Sequence, residues 1–263
     1  MGERQLDLFE ARGQEPIEGP PPDRAVIPAA LDDHALVAAL PGAGLEQAAS
    51  LAAEAGRRRL AAAIPALEAL CRRFAGFGVE RPVPEQIAAL QALAAIGGRD
   101  AARIVITMLE GGIVQGPTLA AAAGAADALQ AILPARIAAT FLAHDDPGVR
   151  RAACRCAPPA PELVPALLAR LDDLDRGVAH AAACALGRLG RPEARPALAM
   201  LLATDPAEDV IEAIAPIADE SCLVLLARVA RTAPDLAPAV LEALEVSGHP
   251  RAEALAGRLN ARS

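Results

Sequence analysis

Residues 175–203 read DRGVAHAAACALGRLGRPEARPALAMLLA, and this stretch decides the fold. Over its first half, apolar residues such as Val178, Ala182 and Leu186 recur at the spacing of one helix face. A second helix follows Pro192, a residue that suits a first helical turn because its missing N–H would have no partner there. Neither helix is long enough to be stable alone. We therefore predict a helical hairpin that needs a copy of itself on each side.

Copies of this hairpin recur along the chain. First helices open at Val149, Val178, Val210 and Val240, in steps of 29, 32 and 30 residues, and second helices open at Pro134, Pro165 and Pro196, in steps of 31. A fixed period of about 30 residues of helix–turn–helix indicates an α-solenoid. We predict an all-α fold in which stacked hairpins share one continuous core.

Two motifs resemble those of a known repeat family. The run DPGVRRAA at residues 146–153 and the run ALGRLG at 185–190 resemble HEAT repeats, and in particular the short type named after phycobilisome lyases. The resemblance covers roughly residues 84–260 and implies a right-handed α-solenoid. It implies little about function, because solenoids serve many roles.

The composition limits the classes of function that are open to this chain. Its net charge of −8 argues against a nucleic-acid binder, which usually has a basic domain. The N-terminus lacks a positively charged region followed by an apolar one, so we expect no signal peptide. The sequence also lacks a long apolar run, so we expect no membrane span. The five Cys have no disulfide spacing, and we expect buried thiols in a cytoplasmic, bacterial protein.

The chain divides into three regions. Residues 1–27 are rich in Pro, Gly and acids, and we expect a flexible, disordered tail there. Residues 28–83 are irregular and we expect them to form an N-terminal helical cap, as solenoid ends require. Residues 84–263 carry the repeats. We predict fifteen helices in all, between residues 31 and 260.

The tail contains a short motif, Gln5-Leu6-Asp7-Leu8-Phe9, that resembles the bacterial sliding-clamp-binding motif. The resemblance implies that Gln5 binds a polar subsite, that Leu6 bridges to the groove, that Asp7 faces solvent and that Leu8 and Phe9 fill an apolar pocket. A few apolar anchors on a flexible tether can bind a partner in this way. Three alternatives stay open: docking of the segment onto its own solenoid, another partner, or a chance match.

Arginines on the second helices form another candidate site. In HEAT solenoids these helices line the concave side, which would give an arginine-lined groove for an acidic protein or a nucleic acid. HEAT-like alkylpurine DNA glycosylases are similar in fold, but they use aromatic residues, whereas Trp and Tyr are absent here. The alternative is that these arginines only form a solvated charged face. The candidates are Arg103, Arg136, Arg170, Arg195, Arg228 and Arg258.

We expect no metal, no cofactor and no catalytic residues. HEAT proteins of the deoxyhypusine hydroxylase type bind iron through His-Glu pairs, and none of the four His here is followed by Glu. Cys154 and Cys156 lie about 200° apart around a helix, which is poor geometry for one metal. We expect His180 to be packed or capped on its Ala-rich helix, and the family name alone does not support a phycobilin lyase activity.

The sequence thus predicts a non-enzymatic scaffold for protein–protein interactions, recruited to the sliding clamp and hence to DNA replication or repair. The alternative is a DNA-maintenance enzyme or nucleic-acid binder on a HEAT scaffold. A basic concave channel would favour that alternative.

Overall fold

The computed structural model describes residues 27–260, which form α-helices, short 3-10 turns and loops, with no strand among them. This confirms the prediction of an all-α solenoid. Its helices are α1 Asp33–Ala39, α2 Leu45–Arg57, α3 Ile64–Arg73, α4 Pro84–Ile96, α5 Gly98–Glu110, α6 Leu119–Ala128, α7 Ala135–Leu142, α8 Pro147–Arg155, α9 Val164–Ala169, α10 Arg176–Arg188, α11 Arg195–Thr204, α12 Glu208–Ile214, α13 Glu220–Thr232, α14 Ala237–Ser247 and α15 Ala252–Asn260.

Aspartates start several of these helices. The carboxylates of Asp146 and Asp175 accept hydrogen bonds from the backbone N–H of Val149 and Val178, each at 3.0 Å. Each bond satisfies an N–H that has no partner within the helix. The repeated valine therefore lies one turn inside its helix, and it is fully buried in both repeats.

The helices form two layers. The inner layer contains α2, α4, α6, α8, α10, α12 and α14, each packed against the next, and the outer layer contains α3, α5, α7, α9, α11, α13 and α15, which pack less extensively on one another. Inner helices approach closely at glycines: a Cβ added at Gly56 would lie 2.8 Å from Cα of Ala92, and one added at Gly187 would lie 2.3 Å from the carbonyl oxygen of Ala213. Because inner neighbours lie closer together, we infer that the stack curves toward the inner layer.

A buried core of Ala, Leu, Val and Ile runs through the stack from Leu36 to Ala252. Within residues 27–260, no helix combines the length and the apolar character that a membrane span requires.

One buried ion pair joins the start of α8 to the turn that follows α9. Arg150 on α8 donates two hydrogen bonds, of 2.9 and 2.8 Å, to the carboxylate of Asp173 in the turn after α9. The same guanidinium also donates to the carbonyl oxygens of His144 and Asp145. The Asp173 side chain is only 3% exposed, and hydrogen bonds from Arg150 hold the pKa of this carboxyl below its usual value.

Candidate functional site

A large groove lies on the inner layer. It has a volume of about 460 Å³ and crosses α6, α8, α10 and α12. Its lining includes charged and polar side chains from all four helices: Asp127, Arg151, Arg155, His180, Cys184, Arg188, Asp209 and Glu212.

Helical spacing explains why these side chains share one surface. Side chains three or four residues apart lie on the same helix face. On α10, His180, Cys184 and Arg188 follow one another at four-residue steps, and Arg151 and Arg155 do the same on α8. Stacking of the inner helices then joins these faces into one groove.

The groove contains charges of both signs, with acidic side chains on α6 and α12 on either side of the arginines of α8 and α10. Arg155 on α8 forms an ion pair of 2.8 Å with Asp127 on α6, and His180 on α10 lies 3.1 Å from the carboxylate of Asp209 on α12. The exposed side chains of Arg151 and Arg188 form no hydrogen bond or ion pair with the part of the chain that the structure describes. The groove is therefore of mixed charge, with two arginines available to a ligand.

The thiol of Cys184 lies buried in the wall of the groove. Cys184 is 2% exposed, and its Sγ lies 4.0 Å from a carboxylate oxygen of Asp209. Burial, and next to it the negative charge of the nearby Asp209, raise the pKa of this thiol to about 12. The thiol is therefore protonated at neutral pH, which makes it a poor nucleophile.

The other cysteines are also buried and free. Burial raises the pKa of Cys71, Cys154 and Cys156 to about 12 in each case. Their burial agrees with the expectation that they act as small core residues.

The six arginines predicted from sequence do not line this groove. Five lie on outer-layer helices, and Arg170 follows the end of α9 in the same layer. Three of them bind oxygen atoms that lie outside their own helices: Arg136 donates to the carbonyl of Glu110, Arg170 pairs with Asp173, and Arg195 donates to the carbonyl of Ile217.

The remaining three arginines are exposed. Arg103 forms an ion pair of 3.2 Å with the exposed Asp100, whereas Arg258 borders a small cleft beside Glu220 and Arg251. Arg228 is also exposed on α13. The structure does not gather the six into one site, and their role in partner binding stays a prediction.

The tail motif Gln5–Phe9 lies outside the described residues, so its clamp-binding role also stays a prediction.

Sequence reasoning missed the cluster of His180, Cys184 and Asp209, although a signal was present. The position two residues after each aligned valine is occupied by Arg151, His180 and Glu212 in successive repeats. Equivalent positions of stacked repeats lie on the same surface, so these three side chains share the groove. His180 and Cys184 have a four-residue spacing within α10, which also places them on one face. What the periodicity did not reveal was which layer contains the groove.

Residues 133–218 match a family model described as HEAT repeats. The match extends from just before α7 to the end of the turn after α12, and it includes α8, α10 and α12 of the groove. No curated protein matches the chain. The match supports a HEAT-repeat protein, whereas it does not support the narrower phycobilisome-lyase type.

Proposed function

We propose that this protein is a non-enzymatic interaction scaffold that binds a polypeptide partner in the inner groove and is recruited to the bacterial sliding clamp by Gln5–Phe9. HEAT repeats in general suggest a protein-interaction scaffold. The observation that carries the proposal is the open groove of mixed charge that crosses four successive inner helices.

The lining of the groove favours a polypeptide as its ligand. Arg151 and Arg188 offer donors for carboxylates and backbone carbonyls, while Asp209 and Glu212 offer acceptors for basic side chains and backbone N–H groups. Complementary charges of both signs fix the register of a bound segment more than they raise its affinity.

The tail supplies the second contact of the proposal. Leu8 and Phe9 would be the apolar anchors in the clamp pocket, with Gln5 as the polar locator and Leu6 bridging between them. Because Asp7 would face solvent, the motif contains its own control position. Binding through the tail would leave the groove free for a different partner.

Titration of the full-length protein with a purified bacterial sliding clamp tests recruitment. We expect a Kd on the order of micromolar, which corresponds to about −8 kcal/mol. Combined replacement Gln5→Ala, Leu8→Ala and Phe9→Ala should weaken binding by more than about tenfold, because it removes the anchors. The matched control, Asp7→Ala, should bind as the natural protein does.

Failure of the natural protein to bind the clamp, or equal binding by the triple variant, would refute recruitment through this motif. If circular dichroism or thermal stability of the triple variant changed instead, the segment would dock on its own solenoid.

A second candidate function, nucleic-acid binding, rests on the three groove arginines Arg151, Arg155 and Arg188. Asp127 already pairs with Arg155, and Asp209 and Glu212 add negative charge, so the groove is a weak phosphate site. The outer-layer arginines stay candidate contacts for an acidic partner. Salt-dependent binding of duplex DNA that Arg151→Glu and Arg188→Glu abolish would favour this candidate.

A further inference from the structure

Three different types of metal-ligating side chain converge on one wall of the groove. His180 and Cys184 lie one turn apart on α10, and Asp209 reaches them from α12. One ligand atom from each lies within 4.8 Å of the other two. No other group of three His, Cys, Asp or Glu residues within residues 27–260 could hold a metal ion in this way.

The two distances from Asp209 to the other ligands are close to those of a tetrahedral zinc site. With bonds of about 2.0–2.3 Å to Zn²⁺, tetrahedral ligand atoms lie about 3.3–3.6 Å apart. Nε2 of His180 lies 3.1 Å from Oδ2 of Asp209, and Sγ of Cys184 lies 4.0 Å from the same oxygen. Small rotations of the His180 and Asp209 side chains would bring all three into range, because both are partly exposed.

The three ligands become more exposed from Cys184 to His180 to Asp209, as expected for a site that a metal ion enters from the groove. The thiol is buried, the imidazole is 26% exposed and the carboxylate is 49% exposed. A fourth position would open toward the groove, where water or a group of a bound partner could fill it. Imidazole, thiolate and carboxylate together suit Zn²⁺, whereas Mg²⁺ and Ca²⁺ prefer sites made of oxygen alone.

We propose that His180, Cys184 and Asp209 bind one Zn²⁺ ion that links α10 to α12. The Zn–S bond forms as the S–H bond breaks, and the proton leaves to solvent; no electron is transferred. The ion joins two successive hairpins, so it stabilises this wall of the groove. This proposal does not depend on the identity of any protein partner.

Titration of the metal-free, full-length protein with Co²⁺ tests the site, because a thiolate bound to Co²⁺ gives a charge-transfer absorption band. We expect the band to saturate at one equivalent and Zn²⁺ to abolish it. Cys184→Ser should remove the band, and His180→Ala or Asp209→Ala should weaken Zn²⁺ binding about 100-fold, since even changes outside the ligand shell cost about 10–100-fold.

Two matched controls belong to the same experiment. Cys154→Ser alters another buried thiol outside the cluster, and His144→Ala alters a histidine outside the cluster, in the loop between α7 and α8. Both should leave the band and the zinc affinity unchanged. The His180 and Asp209 variants change partly exposed side chains, so they keep the test independent of any folding defect in Cys184→Ser.

Zinc should also raise the melting temperature of the natural protein but not that of Asp209→Ala, because an ion that binds only the folded state stabilises that state. Absence of the band in the natural protein, or its persistence in Cys184→Ser, would overturn the proposal. The contact between His180 and Asp209 would then be an ordinary hydrogen bond between neighbouring repeats.

Discussion

Gly187 on α10 provides the sharpest test of how closely the inner helices pack. A Cβ at this position would lie 2.3 Å from the carbonyl oxygen of Ala213 and 2.8 Å from a methyl carbon of Leu198. Ordinary contact begins at 3.4 Å, so α10 and α12 would have to separate by about 1 Å. We predict that Gly187→Ala destabilises the protein.

The expected size of this effect follows from two opposing contributions. Replacing Gly by Ala inside a helix stabilises by about 0.5–1 kcal/mol, because the unfolded chain loses freedom. Overpacking a core costs about 1–3 kcal/mol, and the upper part of that range applies because the atom of Ala213 belongs to the backbone. The net loss should be about 1–2 kcal/mol.

Urea denaturation followed by far-ultraviolet circular dichroism measures this loss as a midpoint lowered by about 0.5–1 M. Gly124→Ala is the matched control, because Gly124 also lies within an inner helix but has no atom within 4 Å of the added Cβ. The control should raise stability by about 0.5–1 kcal/mol. A higher midpoint for Gly187→Ala as well would refute the close approach of α10 and α12.

Two further predictions concern charged groups. Arg150→Met should lower the free energy of unfolding by about 2 kcal/mol, because the buried carboxylate of Asp173 loses its two hydrogen bonds from Arg150 and keeps only the longer ion pair with Arg170 and one backbone N–H; a loss under about 1 kcal/mol in urea denaturation would contradict this. Hydrogen bonds from Arg57 and Arg58 lower the pKa of Glu54 from 4.5 to about 2. Ionised Glu54 therefore stabilises the fold above the unfolded pKa, and this stabilisation is lost as the pH falls from about 4.5 to about 2. Melting temperatures across this range should fall less steeply for Glu54→Gln than for the natural protein, and equal slopes would argue against the assignment.

The solenoid could be predicted from the sequence because its causes are local and repeated. The aligned valines are buried at the same turn of successive inner helices, as Val149, Val178 and Val210 illustrate. Prolines mark the outer helices, with Pro165 and Pro196 in the first turns of α9 and α11. The repeat period and the residues that start each helix were therefore sufficient to predict the fold.

The groove could not be predicted in the same way, because it depends on which layer curves inward. The sequence argument placed the concave side on the proline-led helices, whereas close packing at Gly187 and the groove lining point to the valine-led helices. Small residues on α10 were the available signal, since Ala and Gly let helix backbones approach. The part that Asp209 plays in the cluster could be recognised only from the three-dimensional packing, because the equivalent positions of other repeats are Gly148 and Gly177.

The nearest-neighbour packing of the inner helices also has a mechanical consequence. In a stack of this kind each hairpin contacts chiefly the one before and the one after it, so bending is shared among all the interfaces. The stack then behaves as a spring, in which a rotation of a few degrees at each interface adds up to a large displacement of the two ends. A bond between α10 and α12 would stiffen that one interface and leave the other interfaces free to bend.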